Sequence, residues 1–451
     1  MLVGLSVYTI WAMLLARAIF VGQTSRAALL LSPVVLLAAN AWPRLALLAT
    51  IPAATFGVVV LSSWLSFRAY GLVVAVAGLG VVTRRWRVQP LFHGTVLLLV
   101  CIVMGSAYTT AEFAGTLSVR SPALYAATGL AVMASSAVIR PRIDHVLLMI
   151  AVAGATVAWV VLAGWFRLES MTRSGALQRV FALGLNPNYL GVLVALGAVA
   201  AVGVAVERKT GWFALLALPC VLALPSLKSR TALVLLAVGV VSIVLSLPGQ
   251  RGRRLTVVAS VLGLLFLLNT SFIDDIYRAV LGARADLDLS DSDEFRRGVA
   301  SFAWEQGLAH PLVGLGYGQF PVTAGTEFPI ANPSAHNEYL RTFAELGLLG
   351  LGSLLAVMVQ VGRAARRAPM HTTATVILAL YAVAMMTMEP LQSLPTSMGV
   401  FVLAGAVVGR SQDGRVAATD RPQVAAGAGV DGLHRRGEFV DARTPEQRGT
   451  P

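Results

Sequence analysis

Apolar stretches close to the length that crosses a lipid bilayer recur along this chain. A helix needs about 20 apolar residues to span the hydrocarbon core, where every backbone polar group must be satisfied within the protein. The stretches are continuous rather than alternating, which favours helices over a β-barrel. Since the chain is also 57% hydrophobic and only 13% charged, we expect an all-α polytopic membrane protein.

The stretches predict about 12–14 transmembrane helices, because two of them, 27–39 and 69–82, are short for a full span. They cover residues 3–21, 27–39, 45–62, 69–82, 91–105, 121–138, 144–165, 189–206, 211–225, 231–247, 255–269, 338–361, 371–388 and 394–409.

Clusters of basic residues separate successive pairs of these stretches and predict their orientation. Arginine and lysine favour the cytoplasmic side, so each pair crosses out and back and both termini are cytoplasmic. Much of the net charge of +13 lies in such clusters, so we expect no nucleic-acid partner. The clusters are Arg84, Arg85 and Arg87; Arg140 and Arg142; Arg208 and Lys209; Arg251, Arg253 and Arg254; and Arg363, Arg366 and Arg367.

One long polar interruption, residues 270–337, falls on the outer side in this topology. Apolar residues at helical spacing predict an amphipathic helix from Asp291 or Ser292 to about Ala309. The glycines of Gly314–Gly318 predict a tight turn rather than a nucleotide site. An Asp-x-Asp pattern at Asp286–Asp288 has the form of a metal site, but acidic loop residues are usually just solvated, and we expect no metal or other cofactor.

Basic residues also occur on the outer side, against the usual charge bias. One interpretation is a cationic cup for an anionic group such as a lipid diphosphate, because an arginine fork binds phosphate oxygens in pairs. The alternative is ordinary snorkelling at the interface. These residues are Arg173 and Arg179, Lys228 and Arg230, and Arg296 and Arg297.

Amides and a histidine border the same side. Asn186 and Pro187 have the types that cap and begin a helix, and Asn188 is then available to a sugar or phosphate. His336, at the exit of the long loop and followed by Asn337, can take a proton from a hydroxyl near neutral pH. The alternative for His336 is an ordinary loop residue.

We divide the chain into five segments on these grounds. The tail has almost no aromatics and no periodicity, which predicts a disordered cytoplasmic segment. Cys101 and Cys220 lie within apolar stretches, so no disulfide is expected. The segments are 1–139 (N-terminal transmembrane helices), 140–269 (central helices), 270–337 (large extracytoplasmic loop), 338–409 (C-terminal helices) and 410–451 (tail).

Six motifs in a fixed order resemble those of the O-antigen ligase and polymerase superfamily, over about residues 140–405. They are Asn-Pro-Asn-Tyr-Leu-Gly (186–191), Ser-Arg-Thr (229–231), Arg296, His-Pro-Leu-Val-Gly-Leu-Gly-Tyr-Gly-Gln-Phe (310–320), His-Asn-Glu-Tyr-Leu (336–340) and Glu-Leu-Gly-Leu-Leu-Gly (345–350).

The resemblance implies a metal-independent, GT-C-like glycosyltransferase in the cell membrane. Its donor is a glycan on undecaprenyl diphosphate, and its acceptor is a hydroxyl of a glycan or glycolipid at the extracytoplasmic face, in surface polysaccharide biosynthesis. By the same resemblance Arg296 and Arg230 stabilise the leaving diphosphate, and His336 is the candidate general base. The other implied or neighbouring substrate-binding residues are Arg179, Asn186, Asn188, Lys228 and Asn337.

Several functions stay open at this point, among them a protein ligase of the O-glycosylation type. The shared motifs do not separate a ligase, which uses a lipid core sugar as acceptor, from a polymerase, which extends the growing glycan. The alternative from another class is a transporter of lipid-linked sugars. The predicted spans are nearly free of charge and the ionisable residues gather on one face, which favours a one-sided enzyme over a transporter.

Overall fold

The computed structural model describes residues 42–60, 90–114, 117–164, 167–170, 179–182, 187–227, 229–246, 285–328 and 333–411. Four predicted spans, 3–21, 27–39, 69–82 and 255–269, lie outside these ranges. Lys228, Asn186 and the tail beyond residue 411 lie outside them as well.

Helices make up nearly all of the described chain. They are α1 (Pro43–Val60), α2 (Pro90–Ala114), α3 (Leu117–Ile139), α4 (Ile143–Leu162), α5 (Pro187–Glu207), α6 (Ala217–Leu227), α7 (Arg230–Ser246), α8 (Ala285–Ala309), α9 (Phe320–Glu327), α10 (Glu338–Ala365), α11 (His371–Ala384) and α12 (Leu394–Arg410). Two short 3₁₀ helices, Gly211–Leu216 and Pro390–Gln392, precede α6 and α12.

Four of the described helices contain a segment long and apolar enough to cross a membrane. These segments are Pro90–Ala107, Ile143–Leu162, Pro187–Glu207 and Glu338–Ala365. The prediction of a helical membrane protein is thus confirmed for the described chain. A two-stranded antiparallel sheet was not predicted: β1 (Arg167–Ser170) pairs with β2 (Arg179–Ala182) in a segment expected to be a loop.

Small residues let the apolar helices approach closely. An ideal Cβ on Gly154 of α4 would lie 2.7 Å from the Cα of Gly197 on α5, so both positions require glycine. Close approach of backbones at small residues is the usual way in which membrane helices associate. Between α3 and α12, the Ser136 hydroxyl donates a 2.6 Å hydrogen bond to the Val402 carbonyl.

Helix α10 is broken at Gly347, where φ is +61°. The broken hydrogen-bond ladder is completed by the segment His310–Gly318, which we call the glycine loop. The Leu348 N–H donates to the Pro311 carbonyl at 2.7 Å, and in the other direction the Leu315 N–H donates to the Ala344 carbonyl at 2.9 Å. Two segments about 30 residues apart in sequence thus satisfy each other's backbone hydrogen-bonding groups.

The glycines of this loop adopt the conformation that their residue type predicts. Gly314, Gly316 and Gly318 all have positive φ, at +68°, +105° and +82°. An ideal Cβ on Gly314 would lie 2.3 Å from the carbonyl carbon of Glu345, so the loop lies directly against the backbone of α10. The tight turn expected from these glycines is present.

Helix α8 begins at Ala285, about two turns before the predicted cap, so Asp291 and Ser292 lie inside it. Its apolar side carries Phe295 and Phe302, which pack edge-on against Phe328 with ring centroids 5.6 and 5.8 Å apart. With Val299 and other buried residues they form a small apolar core apart from the main bundle. A one-residue cap signal could not locate the start, because helices extend wherever their neighbours allow.

Candidate active site

His336 stands at the junction between the long loop and α10 in a left-handed conformation, with φ of +50°. For a residue other than glycine this conformation costs about 1–2 kcal/mol and persists where neighbouring groups hold it. Here the His336 N–H donates to Oε1 of Glu389 at 3.1 Å. The Ser334 hydroxyl donates to the same oxygen at 2.8 Å. The backbone at His336 is therefore held by a carboxylate from a distant part of the chain.

Glu389 is itself part of a buried ionic network. Nη1 of Arg341 lies 2.5 Å from Oε2 of Glu389, and Nη2 of Arg341 lies 3.1 Å from Oε1 of Glu345. The side chains of Arg341, Glu389 and Glu345 are 5%, 2% and 1% exposed. A buried carboxylate is tolerated when it is paired and hydrogen-bonded. The expectation that the spans are nearly free of charge was therefore wrong for α10, which carries Arg341 and Glu345 in its first turns.

A third carboxylate, that of Glu338, lies at the start of the same helix and is only 2% exposed. Its Oε2 accepts from the Leu391 N–H at 3.0 Å, and its own N–H donates to the Met385 carbonyl at 2.7 Å. Three carboxylates thus surround the single guanidinium of Arg341 in the described part of this region. The network favours cations and uncharged groups over anions.

The imidazole of His336 is uncharged near neutral pH in spite of the nearby carboxylate of Glu389. Burial lowers the pKa of His336 below its ordinary value, and the positive charge of Arg296 lowers it further. Glu389 acts in the opposite direction but is outweighed. The ring is therefore neutral near pH 7. Arg296, exposed on α8, is close enough for its charge to act on His336, so the structure brings these two predicted residues together.

Asn337 begins α10 as its cap. Its side-chain oxygen accepts hydrogen bonds from the N–H groups of Tyr339 at 3.0 Å and Leu340 at 3.1 Å. This is the usual bonding of a capping asparagine. The contacts account for Asn337 by a structural role, while its predicted part in substrate binding stays a prediction.

The Asn-Pro-Asn and Ser-Arg-Thr motifs meet at neighbouring helix starts. α5 begins at Pro187, as predicted, and α7 begins at Arg230. The two starts touch, because an ideal Cβ on Gly191 would lie 2.8 Å from Cβ of the buried Ser229. Gly191 thus allows the helix that carries Asn188 to lie directly beside the residue before Arg230.

Strand β2, which begins at Arg179, packs against α5 and α6. The strand that this third predicted arginine begins therefore lies beside α5, the helix that carries Asn188. Tyr189, one residue after Asn188, is near enough to Glu389 and Glu338 for their charges to act on its hydroxyl. The start of α5 and the ionic network therefore occupy one region.

Arg341, Glu345 and Glu389 were not predicted from the sequence as residues of this region. A signal was present, because Glu338, Arg341 and Glu345 are three and four residues apart and so share one face of a helix. Ionisable residues inside an apolar stretch are functional candidates by default. Glu389 had no comparable signal, since it lies 48 residues from Arg341. Among the described residues, no group of three or more His, Cys, Asp or Glu side chains is placed to hold a metal ion.

Apolar helices around a buried ionic network, with a neutral histidine at one end, define a membrane protein with a polar site at the end of its bundle. The model of the family described as O-antigen ligase matches residues 213–355, about a third of the chain. The match supports a ligase-type or polymerase-type function. It includes Arg230, Arg296 and His336. No curated protein matches the chain.

Proposed function

We propose that this chain is a multi-pass glycosyltransferase that moves a glycan from undecaprenyl diphosphate to a sugar hydroxyl. The observation that carries the proposal is the half-buried, neutral His336, whose backbone is held by Glu389 and which lies within reach of the charge of Arg296. A neutral imidazole next to a cation suits a reaction that removes a proton while an anionic group departs. The match of residues 213–355 to the O-antigen ligase family supports the same chemistry.

In the proposed reaction the acceptor oxygen attacks the anomeric carbon of the donor sugar. The acceptor O–H proton passes to the imidazole of His336, and the bond between the anomeric carbon and the phosphate oxygen breaks. The electron pair of that bond stays with undecaprenyl diphosphate. Arg296 and Arg230 stabilise the resulting charge, and Arg179 and Lys228 add positive charge near the donor. Asn186 and Asn188 contact the glycan, and no metal or cofactor is required.

We place the reaction on the extracytoplasmic face of the cell membrane, with both termini in the cytoplasm. The support is the distribution of basic clusters in the sequence, which lie between pairs of apolar stretches. The buried ions of α10 fit the same placement, because Glu338 begins the helix and Glu345 lies only two turns further. They are thus near one end of a span rather than at its centre.

We favour a ligase-like transferase over a polymerase, in the synthesis of surface polysaccharide. A transporter of lipid-linked sugars is the second candidate, and one observation favours it: α10 combines buried ions with a break at Gly347. Broken helices and buried ions are common in transporters. The two candidates differ in whether undecaprenyl diphosphate is released.

The test uses membranes from cells that express the full chain, supplied with an oligosaccharide on undecaprenyl diphosphate. The release of undecaprenyl diphosphate is measured for the native chain and for His336→Ala, Arg296→Ala and Arg230→Ala. We expect each variant to lose about 100-fold or more, the range of a lost general base or of a lost charge-stabilising donor. Arg297→Ala is the matched control, since Arg297 is exposed next to Arg296.

Undiminished release in all three variants, at equal protein levels, would overturn the site. Movement of the lipid-linked sugar to the other leaflet without release would instead favour the transporter. Addition of donor sugars to one another, rather than to a separate acceptor, would identify a polymerase.

A further inference from the structure

An apolar cavity of about 310 Å³ lies among α2, α3, α10, α11 and α12. Protein interiors are close-packed and rarely leave a void larger than a water molecule, whereas cavities that hold small molecules begin at about 300 Å³. The lining follows α10 from Glu338 to Arg366. The cavity therefore has the length and the apolar surface that suit a hydrocarbon chain.

The end of the cavity near the start of α10 is lined by polar side chains. Tyr317 and Glu338 line it there and are only 6% and 2% exposed. Among the described residues, none gives the Tyr317 hydroxyl a hydrogen bond. A buried hydroxyl without a partner is costly, and this one lines a space large enough to admit a ligand. The missing partner is therefore expected to come from a bound molecule.

The charges around this end select the kind of polar group that fits. Three carboxylates, those of Glu338, Glu345 and Glu389, surround Arg341, and Arg341 is already engaged by two of them. An anionic head group would be repelled, so the diphosphate of a lipid-linked donor does not suit this end. An alcohol does, because its oxygen can accept from the Tyr317 hydroxyl while its own O–H donates to Glu338.

We propose that the cavity binds the hydrocarbon chain of a neutral glycolipid, with head-group hydroxyls at Tyr317 and Glu338. This lipid is then the acceptor, an assignment that rests on the proposed function. Glu338 is two residues from His336, so a sugar head at this end lies beside the candidate base. The donor lipid then has its own place, at the arginines.

Binding is tested by photolabelling with no donor present. The probe is an alkyl glucoside that carries a diazirine in its chain, added to membranes containing the full chain, with the cross-linked residues mapped by mass spectrometry. We expect labels on Leu354 and Val357, which line the cavity. Labels confined to Leu355 and Val359, which are exposed on the outside of the same helix, would overturn the site.

Two pairs of variants sharpen the assignment. Leu354→Trp fills the cavity and should reduce labelling at Val357 at least tenfold, while Leu355→Trp, which faces away, should leave it unchanged. Tyr317→Phe should weaken capture of the glucoside several-fold but leave capture of a headless alkyl diazirine intact. Tyr339→Phe is its control, because the Tyr339 hydroxyl bonds to the Ala382 carbonyl. Equal labelling by the same chain with a phosphate head would overturn the choice of a neutral head.

The role as acceptor has a separate outcome. The acceptor site is supported if Leu354→Trp abolishes both labelling by the alkyl glucoside and transfer to it. The same variant should still release undecaprenyl diphosphate when other acceptors are supplied. Full transfer to the glucoside in Leu354→Trp would overturn it even if His336→Ala is inactive. In that case the proposed function would stand and the cavity assignment alone would fall.

Discussion

The His336 N–H and the Glu389 carboxylate meet at 3.1 Å although 53 residues separate them. Both other contacts of this carboxylate, with Ser334 and Arg341, come from the segment around His336. The position of the candidate base is thus set by a single side chain between α11 and α12. Residues that never touch a substrate can control the reaction through this contact.

Glu389→Ala should destabilise the protein by about 3–5 kcal/mol, because it leaves Arg341 buried without one of its two carboxylates. Glu389→Gln should cost less, since its amide oxygen can still accept from His336 and Ser334. The measurement is the unfolding midpoint of the protein in lipid nanodiscs. Glu305→Ala is the control, as Glu305 is exposed. Equal midpoints for the Ala variant and the native chain would contradict the network.

The rate of glycan transfer should fall as pH decreases through the pKa of His336, which lies below the ordinary histidine value. The neutral ring is the active form, so protonation removes activity. Arg296→Gln removes a charge that lowers this pKa, and the acidic limb of the pH–rate profile should move to higher pH. Arg297→Gln should leave the limb in place. An acidic limb at the same pH in Arg296→Gln as in the native chain would contradict the electrostatic link between Arg296 and His336.

Gly314→Ala and Gly347→Ala should each destabilise the protein by more than about 1–2 kcal/mol, the cost of a left-handed conformation alone. An added Cβ at either site would also lie 2.3–2.4 Å from backbone atoms of the opposite segment. Gly352→Ala is the matched control in α10, where a Cβ meets nothing within 4 Å, and it should stabilise by up to about 1 kcal/mol. Thermal unfolding of all three variants makes the comparison.

Gly191→Val should reduce transfer more than it reduces stability. The added side chain must displace Ser229, which separates the helix starts that carry Asn188 and Arg230. Gly94→Val adds a side chain where nothing lies within 4 Å, so it controls for the cost of valine in an apolar helix. Rates are compared at temperatures where both variants are folded. Equal rates in the two variants would contradict a shared donor site.

The sequence predicted the described spans closely, because apolar length and helix-start residues are local properties. Pro187 and Arg230 begin helices within a residue or two of the predicted positions. The buried charges of α10 were missed although the spacing of Arg341 and Glu345 puts them on one face of a helix, because only packing shows that this face is buried. Glu389 was missed because its partners are distant in sequence. The pairing of β1 with β2 likewise depends on contacts that no local pattern specifies.

The break at Gly347 makes the first turns of α10 mechanically dependent on the glycine loop. A continuous helix transmits movement along its own hydrogen bonds, but here the bonds at the break run to Pro311 and from Leu315. The turns that hold Arg341 therefore cannot shift without straining the glycine loop. A protein that receives this loop from a relative without the matching helix segment should lose the coupling. The two segments are therefore expected to change together in evolution.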